Sequence, residues 1–261
     1  MVDDVSTRGD RHTSLPTEML LAGKVQALLF PKNLPVCDWC CVGVENHMAT
    51  VLGGDYFDFI SLEDGCQAVL IGDVTGHSLH ASIVMSLVYG YLHRAVKKTC
   101  DPLATVTELN GFLRCFAQRS SVYDHFFSTT LFFGIIDPGS LSMHYVNAGH
   151  PAGLVRRNGE LLKLATTGHP LGYFGHPELE EQTFRFEEGD RLLLYTDGLV
   201  DGLDTAGRAF GVSRLEGLLQ SLAGDHLECL AALFFEVREH LAGLPATDDC
   251  TAIVMDMRPF G

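Results

Sequence analysis

The apolar residues of this chain form short runs separated by turn residues, and these runs predict its strands. Gln67–Val74 is rich in Val, Ile and Leu and is predicted to be a strand. Further runs come in pairs joined by four turn residues. Such short links favour antiparallel pairing, because a parallel pair needs a crossover of a dozen or more residues. The pairs are Thr130–Ile136 with Leu141–Asn147, Ala152–Arg156 with Leu161–Ala165, and Gln182–Phe186 with Arg191–Thr196, and a last strand is predicted at Thr251–Met257.

Other segments place apolar residues at the spacing of one helical face. They predict helices over Leu79–Lys97, Pro102–Gln118, Val212–Leu222 and Leu227–Leu241. Strands in runs and helices in pairs indicate a layered α+β domain, not the strict βαβ alternation of a nucleotide-binding fold.

The first part of the chain differs from the rest. We expect residues 1–14 to be a flexible leader, 15–36 an amphipathic linker helix with a Pro-containing connection, and 37–261 the catalytic domain. The helix is predicted to begin at Pro16 and to end before Pro31. An isolated amphipathic helix must bury its apolar stripe against the domain or against a second copy.

Composition narrows the function classes. The formal charge is −15 with only 18 Lys and Arg, which disfavours a nucleic-acid partner and suits cations. No apolar stretch reaches the roughly 20 residues of a membrane span, and Met1–Asp10 is polar, unlike a signal peptide. Scattered cysteines fit a reducing compartment, so we expect a cytoplasmic protein. Cys37-x-x-Cys40-Cys41 could be half of a zinc site, but no second cysteine pair matches it.

Four aspartates border apolar runs, and they are the strongest chemical signal in the chain. They are Asp55, Asp73, Asp197 and Asp248. Asp-Gly and Gly-Asp are also ordinary turn sequences, so each aspartate has a purely structural alternative. The signatures of serine hydrolases, phosphate-binding loops and zinc proteases are missing. Carboxylate ligands select hard cations such as Mg²⁺ or Mn²⁺, and a pair of ions about 3.5–4 Å apart supports hydrolysis of phosphate esters.

The sequences around these aspartates resemble, in order, the motifs of SpoIIE-like (RsbU-like) serine phosphatases, which belong to the PPM or protein phosphatase type 2C superfamily. The resemblance extends from about Leu20 to Met257. It implies a β-sandwich of two antiparallel sheets flanked by helices, in α-β-β-α layers. The motifs are Gly53-Gly54-Asp55-Tyr56-Phe57-Asp58-Phe59, Gly72-Asp73-Val74-Thr75-Gly76-His77, Tyr145-Val146-Asn147-Ala148-Gly149-His150-Pro151, Tyr195-Thr196-Asp197-Gly198 and Asp248-Asp249-Cys250-Thr251.

The resemblance also implies roles for individual residues. Asp55 is expected to bind one ion, and Asp73 to bridge two ions of Mn²⁺ or Mg²⁺ with the Val74 backbone carbonyl beside it. Asp197 and Asp248 are expected to bind the other ion. Asp58 and Asp249 are expected to support these ligands by hydrogen bonds, and Asp249 stands where the superfamily often has Asn.

One motif departs from the family. Thr75 stands where longer eukaryotic-type enzymes can have a histidine that acts as general acid, and Ser78 replaces a common glycine. His77 could take over proton donation, because the imidazole pKa lies near 6.5. A packing or turn role for His77 is the alternative.

The family resemblance implies a protein serine/threonine phosphatase that uses water activated by two metal ions and forms no phosphoenzyme. The implied substrate is a phosphorylated STAS-domain protein, an anti-sigma-factor antagonist. Two alternatives stay open, namely a catalytically weak phosphoprotein-binding module and a hydrolase of small phosphate esters. We also expect that residues 16–30 contact a second copy or a regulator, with no nucleic-acid partner.

Overall fold

The computed structural model describes residues 14–76, 79–96 and 101–258. The helices in these ranges are α1 Ser14–Gln26, α2 Leu79–Ala95, α3 Pro102–Ala117, α4 Gly198–Asp201, α5 Val212–Ser221 and α6 His226–Leu241, with a 3₁₀ turn at Asp124–Phe127. The strands are β1 Cys40–His47, β2 Asp55–Ser61, β3 Gln67–Val74, β4 Thr129–Asp137, β5 Ser142–Ala148, β6 Gly153–Arg157, β7 Glu160–Leu164, β8 Gln182–Arg185, β9 Arg191–Tyr195 and β10 Cys250–Met257.

In these described ranges the strands form two five-stranded antiparallel sheets. The first sheet has the order β1-β10-β9-β6-β7, and the second has the order β2-β3-β4-β5-β8. The sheets face each other, and helices cover both outer faces. This architecture confirms the predicted α+β sandwich.

Three apolar layers hold the sandwich together. Side chains such as Phe57, Ile71 and Phe132 fill the space between the sheets. Helices α2 and α3 pack on the outer face of the second sheet, and α5 and α6 pack on the outer face of the first. Because both faces of β3 are covered, the strand reads as a continuous apolar run. Asp73 lies next to the last residue of β3, at the edge of the sandwich.

Two of the three predicted strand pairs are confirmed and one is wrong. Strand β4 pairs with β5, and β6 pairs with β7, in the predicted antiparallel sense. Strand β8, however, pairs with β5 in the second sheet, whereas β9 pairs with β10 and β6 in the first. The short link between them therefore crosses from one sheet to the other. The buried Asp190 anchors this link, because its carboxylate accepts hydrogen bonds from Arg157 and from the backbone N–H of Glu187.

Helix α1 is tied to the domain through its last residue, Gln26. The buried Gln26 amide donates to the Gly53 carbonyl oxygen at 2.7 Å and accepts from the Gly53 N–H at 3.1 Å. Gly23 lies so close to the backbone of Val51 that a β-carbon at position 23 would lie 2.5 Å from the Val51 carbonyl oxygen. The helix ends at Gln26, earlier than predicted, and turns follow.

The remaining sequence expectations concern membranes and zinc. None of the helices in the described part of the chain is both long and apolar enough to cross a membrane. Cys37, Cys40 and Cys41 are free thiols. Among the described residues, no group of three or more His, Cys, Asp or Glu side chains is arranged to complete a zinc site with them.

We expect Gln26→Ala to destabilise the protein, because the substitution leaves both backbone groups of Gly53 without their partner. A lost buried hydrogen-bond partner costs about 1–3 kcal/mol. Urea denaturation monitored by circular dichroism measures the change. Lys24→Ala is the control, since Lys24 is exposed on the same helix. Equal stability of the two variants would contradict an anchoring role for Gln26.

Candidate metal centre

Asp55 and Asp73 are placed side by side by the pairing of β2 with β3. In this antiparallel ladder Asp55 lies directly opposite Asp73. Both residues share the strand face whose neighbours, Phe57 and Ile71, point between the two sheets. Asp55 is only 1% exposed, while Asp73 is partly accessible. The two carboxylates therefore lie where the space between the sheets opens to solvent.

Asp197 and Asp248 are brought to the same edge by the other sheet. Strand β9 ends at Tyr195 and β10 begins at Cys250, and in this antiparallel pair Tyr195 lies opposite Ala252. The residues beyond each strand end therefore emerge together. Gly198 follows Asp197 so near the second segment that a β-carbon would lie 2.0 Å from the Asp249 carbonyl oxygen. Glycine is thus required for this close approach.

Two threonines join the sheets at this edge. The Thr196 hydroxyl donates to Asp55 Oδ2 at 2.9 Å, and the Thr251 hydroxyl donates to the same oxygen at 2.5 Å. The Thr251 N–H in turn donates to Thr196 Oγ1 at 2.9 Å. These three residues are almost completely buried. Their hydrogen bonds fix one carboxylate of the second sheet against two strand ends of the first.

Asp249 braces the loop in front of Asp55. Its Oδ1 accepts the Ala49 N–H at 2.8 Å, and its Oδ2 accepts the Gly54 N–H at 2.7 Å. The side chain is 2% exposed, so both oxygens are committed to backbone donors. The neighbouring Asp248, by contrast, is partly accessible, and the supporting role of Asp249 toward the ligands stays a prediction.

Gly54 leaves room for a cluster of oxygens. A β-carbon at this position would lie 2.8 Å from the Val74 carbonyl oxygen, 2.9 Å from that of Gly76 and 3.0 Å from Asp73 Oδ1. The carbonyl oxygen of Val74 and the carboxylate of Asp73 therefore border the same small space. A side chain would fill it, so glycine keeps this space open.

Burial, and then the repulsion between neighbouring carboxylates, raises the pKa of three of these aspartates. Burial, opposed by the hydrogen bonds from Thr251 and Thr196 and reinforced by the charge of Asp249, raises the pKa of Asp55 to about 8. Burial and then the charges of Asp55, Asp197, Asp248 and Asp249 raise the pKa of Asp73 to about 9. Burial and the charge of Asp248 also raise the pKa of Asp197. A like-charged group of this kind favours a compensating cation.

The donor set fits a hard divalent cation. All the candidate donors are carboxylate or carbonyl oxygens, which Mg²⁺ and Mn²⁺ prefer. Among the described residues, no Lys, Arg or His forms an ion pair with Asp55, Asp73, Asp197 or Asp248. The same residues include no three His, Cys, Asp or Glu side chains arranged to hold one ion unaided. Backbone carbonyls and waters would therefore have to complete the coordination, as is usual for Mg²⁺.

Two predicted site residues are not part of this group. Asp58 was expected to support the ligands, but its carboxylate accepts hydrogen bonds from Tyr89 and His93 of α2. It lies three positions after Asp55 and so points to the opposite face of β2, because successive strand residues alternate. Asp58 therefore anchors α2 on the sheet. His77 lies outside the described residues, and its role as general acid stays a prediction.

His150 of the Ala-Gly-His-Pro motif has a structural position. It is 2% exposed, and its Nδ1 lies 2.9 Å from Thr130 Oγ1 on β4. Burial lowers the pKa of His150 to about 3, against a smaller opposing effect of the Tyr195 backbone. The ring is therefore neutral at physiological pH and links the segment after β5 to β4 beside Asp73, whose register partner is Thr130.

Sequence reasoning missed three residues that position the site. Thr196 and Thr251 occur inside the recognised motifs, but no role was assigned to them. A threonine one or two residues from a strand-end aspartate is the signal that could have identified both. Gln26 gave no such signal, because its partner Gly53 is distant in sequence.

Comparison with known proteins agrees with this geometry. Residues 63–258 match the family described as Stage II sporulation protein E (SpoIIE). The chain belongs to the SpoIIE family. Phosphoserine phosphatase RsbP of Bacillus subtilis is 27% identical over 185 residues, which cover 70% of this chain and 45% of RsbP. Protein IcfG of Synechocystis is 25% identical over 256 residues, which cover 89% of this chain and 40% of IcfG.

A solved structure shows the same fold. The SiaA-PP2C domain of Pseudomonas aeruginosa superimposes with a TM-score of 0.80, covering 94% of this chain and 97% of that domain, at 18% identity. The SpoIIE family assignment and the PP2C-type sandwich therefore agree with each other. The chain spans less than half the length of the two curated relatives, 45% and 40%.

The metal-free protein should lose stability as the pH rises. The pKa values of Asp55 and Asp73, about 8 and about 9 when folded, exceed the unfolded value of about 3.9. Between these limits the folded state binds more protons, so the free energy of unfolding falls with increasing pH. Thermal unfolding from pH 5 to pH 9 with chelator measures this slope. Adding Mn²⁺ at pH 8 should raise the Tm.

Asp73→Asn tests the origin of this behaviour. The substitution removes one of the titrating carboxyl groups, so it should flatten the pH slope, and it removes a candidate ligand, so it should reduce the Tm increase caused by Mn²⁺. Asp38→Asn is the control, because Asp38 is exposed. A slope and a Mn²⁺ response equal to those of the unmodified protein would refute the assignment of Asp73.

Proposed function

We propose that this protein is a metal-dependent protein serine/threonine phosphatase. The observation that carries the proposal is the convergence of Asp55, Asp73, Asp197 and Asp248 at the open edge of the sandwich, with raised pKa values for three of them. Membership of the SpoIIE family supports the assignment. A relative that is 27% identical carries the name phosphoserine phosphatase.

The four carboxylates differ in position and in exposure. Asp55, held by Thr196 and Thr251, and Asp73, beside the Val74 carbonyl oxygen, lie on the paired strands β2 and β3, and Asp55 is the most buried of the four. Asp197 and Asp248 form the accessible side. When bound, two Mn²⁺ or Mg²⁺ ions would supply an activated water and compensate the charge of the phosphate oxygens. The solvent-facing side leaves room for a phosphorylated residue of another protein.

We further propose that the substrate is a phosphorylated STAS-domain protein in the cytoplasm. The resemblance to RsbU-like phosphatases supports the substrate class. The free thiols of the described cysteines support the reducing compartment. A phosphorylated STAS protein therefore belongs among the test substrates below.

Residues 16–30 carry an apolar surface that supports a contact with a second copy or a regulator. Leu20, Leu21, Val25 and Leu28 are 54%, 62%, 55% and 63% exposed. Leu21 and Val25 also line a groove against Ile83 of α2. Exposed apolar surface of this kind is typical of protein contacts. We propose that this surface contacts a second copy of the chain in a homodimer.

Activity assays test the phosphatase proposal. With Mn²⁺ the protein should hydrolyse para-nitrophenyl phosphate, a phosphoserine peptide and a phosphorylated STAS protein. EDTA should abolish all three activities. Asp197→Asn should lower kcat at least about a hundredfold, since even the outer partners of metal ligands contribute about 10- to 100-fold. Asp38→Asn is the matched control.

The outcomes separate the alternatives. Turnover that survives EDTA would exclude the metal mechanism. Binding of the phosphorylated STAS protein without hydrolysis would favour a regulatory binding module, and hydrolysis of the aryl phosphate alone would favour a small-ester hydrolase.

The same substrates test whether His77 acts as the general acid. If His77 donates the proton, His77→Gln should slow hydrolysis of the phosphoserine peptide more than hydrolysis of para-nitrophenyl phosphate, whose leaving group needs no proton. Equal slowing of both substrates would refute proton donation.

The dimer proposal predicts that the double substitution Leu20→Glu and Leu28→Glu yields monomers. Two charges on the apolar surface would have to be desolvated at the interface, which is costly. Sedimentation velocity at several protein concentrations measures the association. Lys24→Glu is the control on the same helix. A monomeric unmodified protein, or a double variant that still dimerises, would contradict the proposal.

A further inference from the structure

An apolar pocket of about 280 Å³ adjoins the candidate metal centre. It lies between α4, α6 and the segment that follows α6. The apolar wall is formed by Phe234, Val237, Leu241, Leu244 and Cys250. Gly198 and Asp248 also line the pocket. Since Gly198 follows Asp197 and Asp248 is a candidate ligand, the pocket and the metal centre share a wall.

We propose that this α6 pocket binds an apolar side chain of the phosphoprotein substrate, one to three residues from the phosphoserine. The proposal rests on the proposed phosphatase function. An extended peptide advances by about 3.3–3.6 Å per residue. A peptide whose phosphate lies at the carboxylates must therefore pass over the surface next to them. The shared wall places the α6 pocket within reach of those flanking residues.

The size and lining of the α6 pocket suit a branched aliphatic or aromatic side chain. A cavity of roughly 150 Å³ lined by Leu, Ile and Phe stays dry and binds benzene. The α6 pocket is larger and has a buried floor, formed by Phe234 and Val237. Leu244 is 43% exposed at the mouth. The pocket thus offers apolar surface that an incoming side chain can bury.

The rim of the α6 pocket favours a peptide over a purely apolar ligand. The exposed guanidinium of Arg238 lies on the rim and forms no hydrogen bond or ion pair with the residues that the structure describes. Asp201 lies on the rim as well and is also exposed. Arg238 can donate to a carbonyl or carboxylate, and Asp201 can accept an N–H. A peptide provides both kinds of partner along its backbone.

Substrate preference tests the proposal. The probes are phosphoserine peptides of otherwise polar sequence with Leu or Ala at each position from −3 to +3, and para-nitrophenyl phosphate. We expect the Mn²⁺-loaded full chain to prefer Leu at one position by about tenfold or more in kcat/KM, the range typical of apolar pockets. Leu244→Glu should remove most of this preference. The variant should affect para-nitrophenyl phosphate much less, because that substrate has no flanking residues.

Two further variants complete the design. Phe235→Glu is the matched control, since Phe235 is 51% exposed on the same helix but does not line the α6 pocket. It should keep the Leu preference. Ala246→Trp introduces bulk at an exposed position of the pocket lining and should act like Leu244→Glu. Circular dichroism verifies that each variant is folded.

The results also distinguish failure of the pocket from failure of the proposed function. If para-nitrophenyl phosphate is hydrolysed but the unmodified protein shows no Leu preference, or if Leu244→Glu and Ala246→Trp retain it, the α6 pocket proposal is overturned. If no substrate is hydrolysed, the phosphatase function fails. In that case, fluorescence anisotropy with labelled phosphopeptides tests the α6 pocket proposal. Tighter binding of the Leu peptide than of the Ala peptide, with the difference abolished by Leu244→Glu, supports the proposal. Equal binding of the two peptides overturns it.

Discussion

The central constraint of this structure is the confinement of several carboxylates at one edge of a β-sandwich. Asp55 is buried there although burial strongly disfavours its charged form. Its position is fixed because the hydroxyls of Thr196 and Thr251 reach it from the opposite sheet. At this edge, the contact that joins the two sheets is therefore the same contact that positions the candidate ligand. Stability of the sandwich edge and function of the centre are coupled through one side chain.

Hydrogen bonds to the loop before Asp55 connect this edge of the sandwich to helix α1. Asp249 accepts a hydrogen bond from the Gly54 N–H. The Gln26 amide hydrogen-bonds to both backbone groups of the adjacent Gly53. Helix α1 is thus connected to the candidate ligand through two consecutive glycines. A displacement of α1 would change the hydrogen bonding of Gly53 first. The geometry provides a physical route by which contacts of the N-terminal helix reach the metal centre.

The two sides of the centre differ in character. On one side, strand pairing and hydrogen bonds define the positions of Asp55 and Asp73. The accessible side, formed by Asp197 and Asp248, continues into the α6 pocket. A phosphatase built in this way would separate chemistry from recognition. Asp55 and Asp73 would organise the reaction, and the neighbouring apolar surface would select the polypeptide around the phosphorylated residue.

The sequence by itself determined most of the secondary-structure series, the layered fold class and the candidate aspartates. Apolar runs such as Gln67–Val74 gave most strands, because a strand covered on both faces leaves a continuous signal. Strands β1 and β2 were not predicted, because Gly43 and Glu45 interrupt the apolar pattern of β1, and Asp55 and Asp58 do the same in β2. The ordered motifs gave the family resemblance, and with it the proposed ligand roles.

Tertiary structure alone decided the partners of β8 and β9 and the contacts between residues distant in sequence. The link between β8 and β9 looked like a hairpin, yet the strands belong to different sheets, because the buried Asp190 and Arg157 stabilise a crossing that no local pattern records. Asp58 lies three residues from Asp55 but faces α2, since alternation along a strand sends it to the other side. Hydrogen bonds between residues distant in sequence, such as Thr251 to Asp55, follow from packing and carry no local signature.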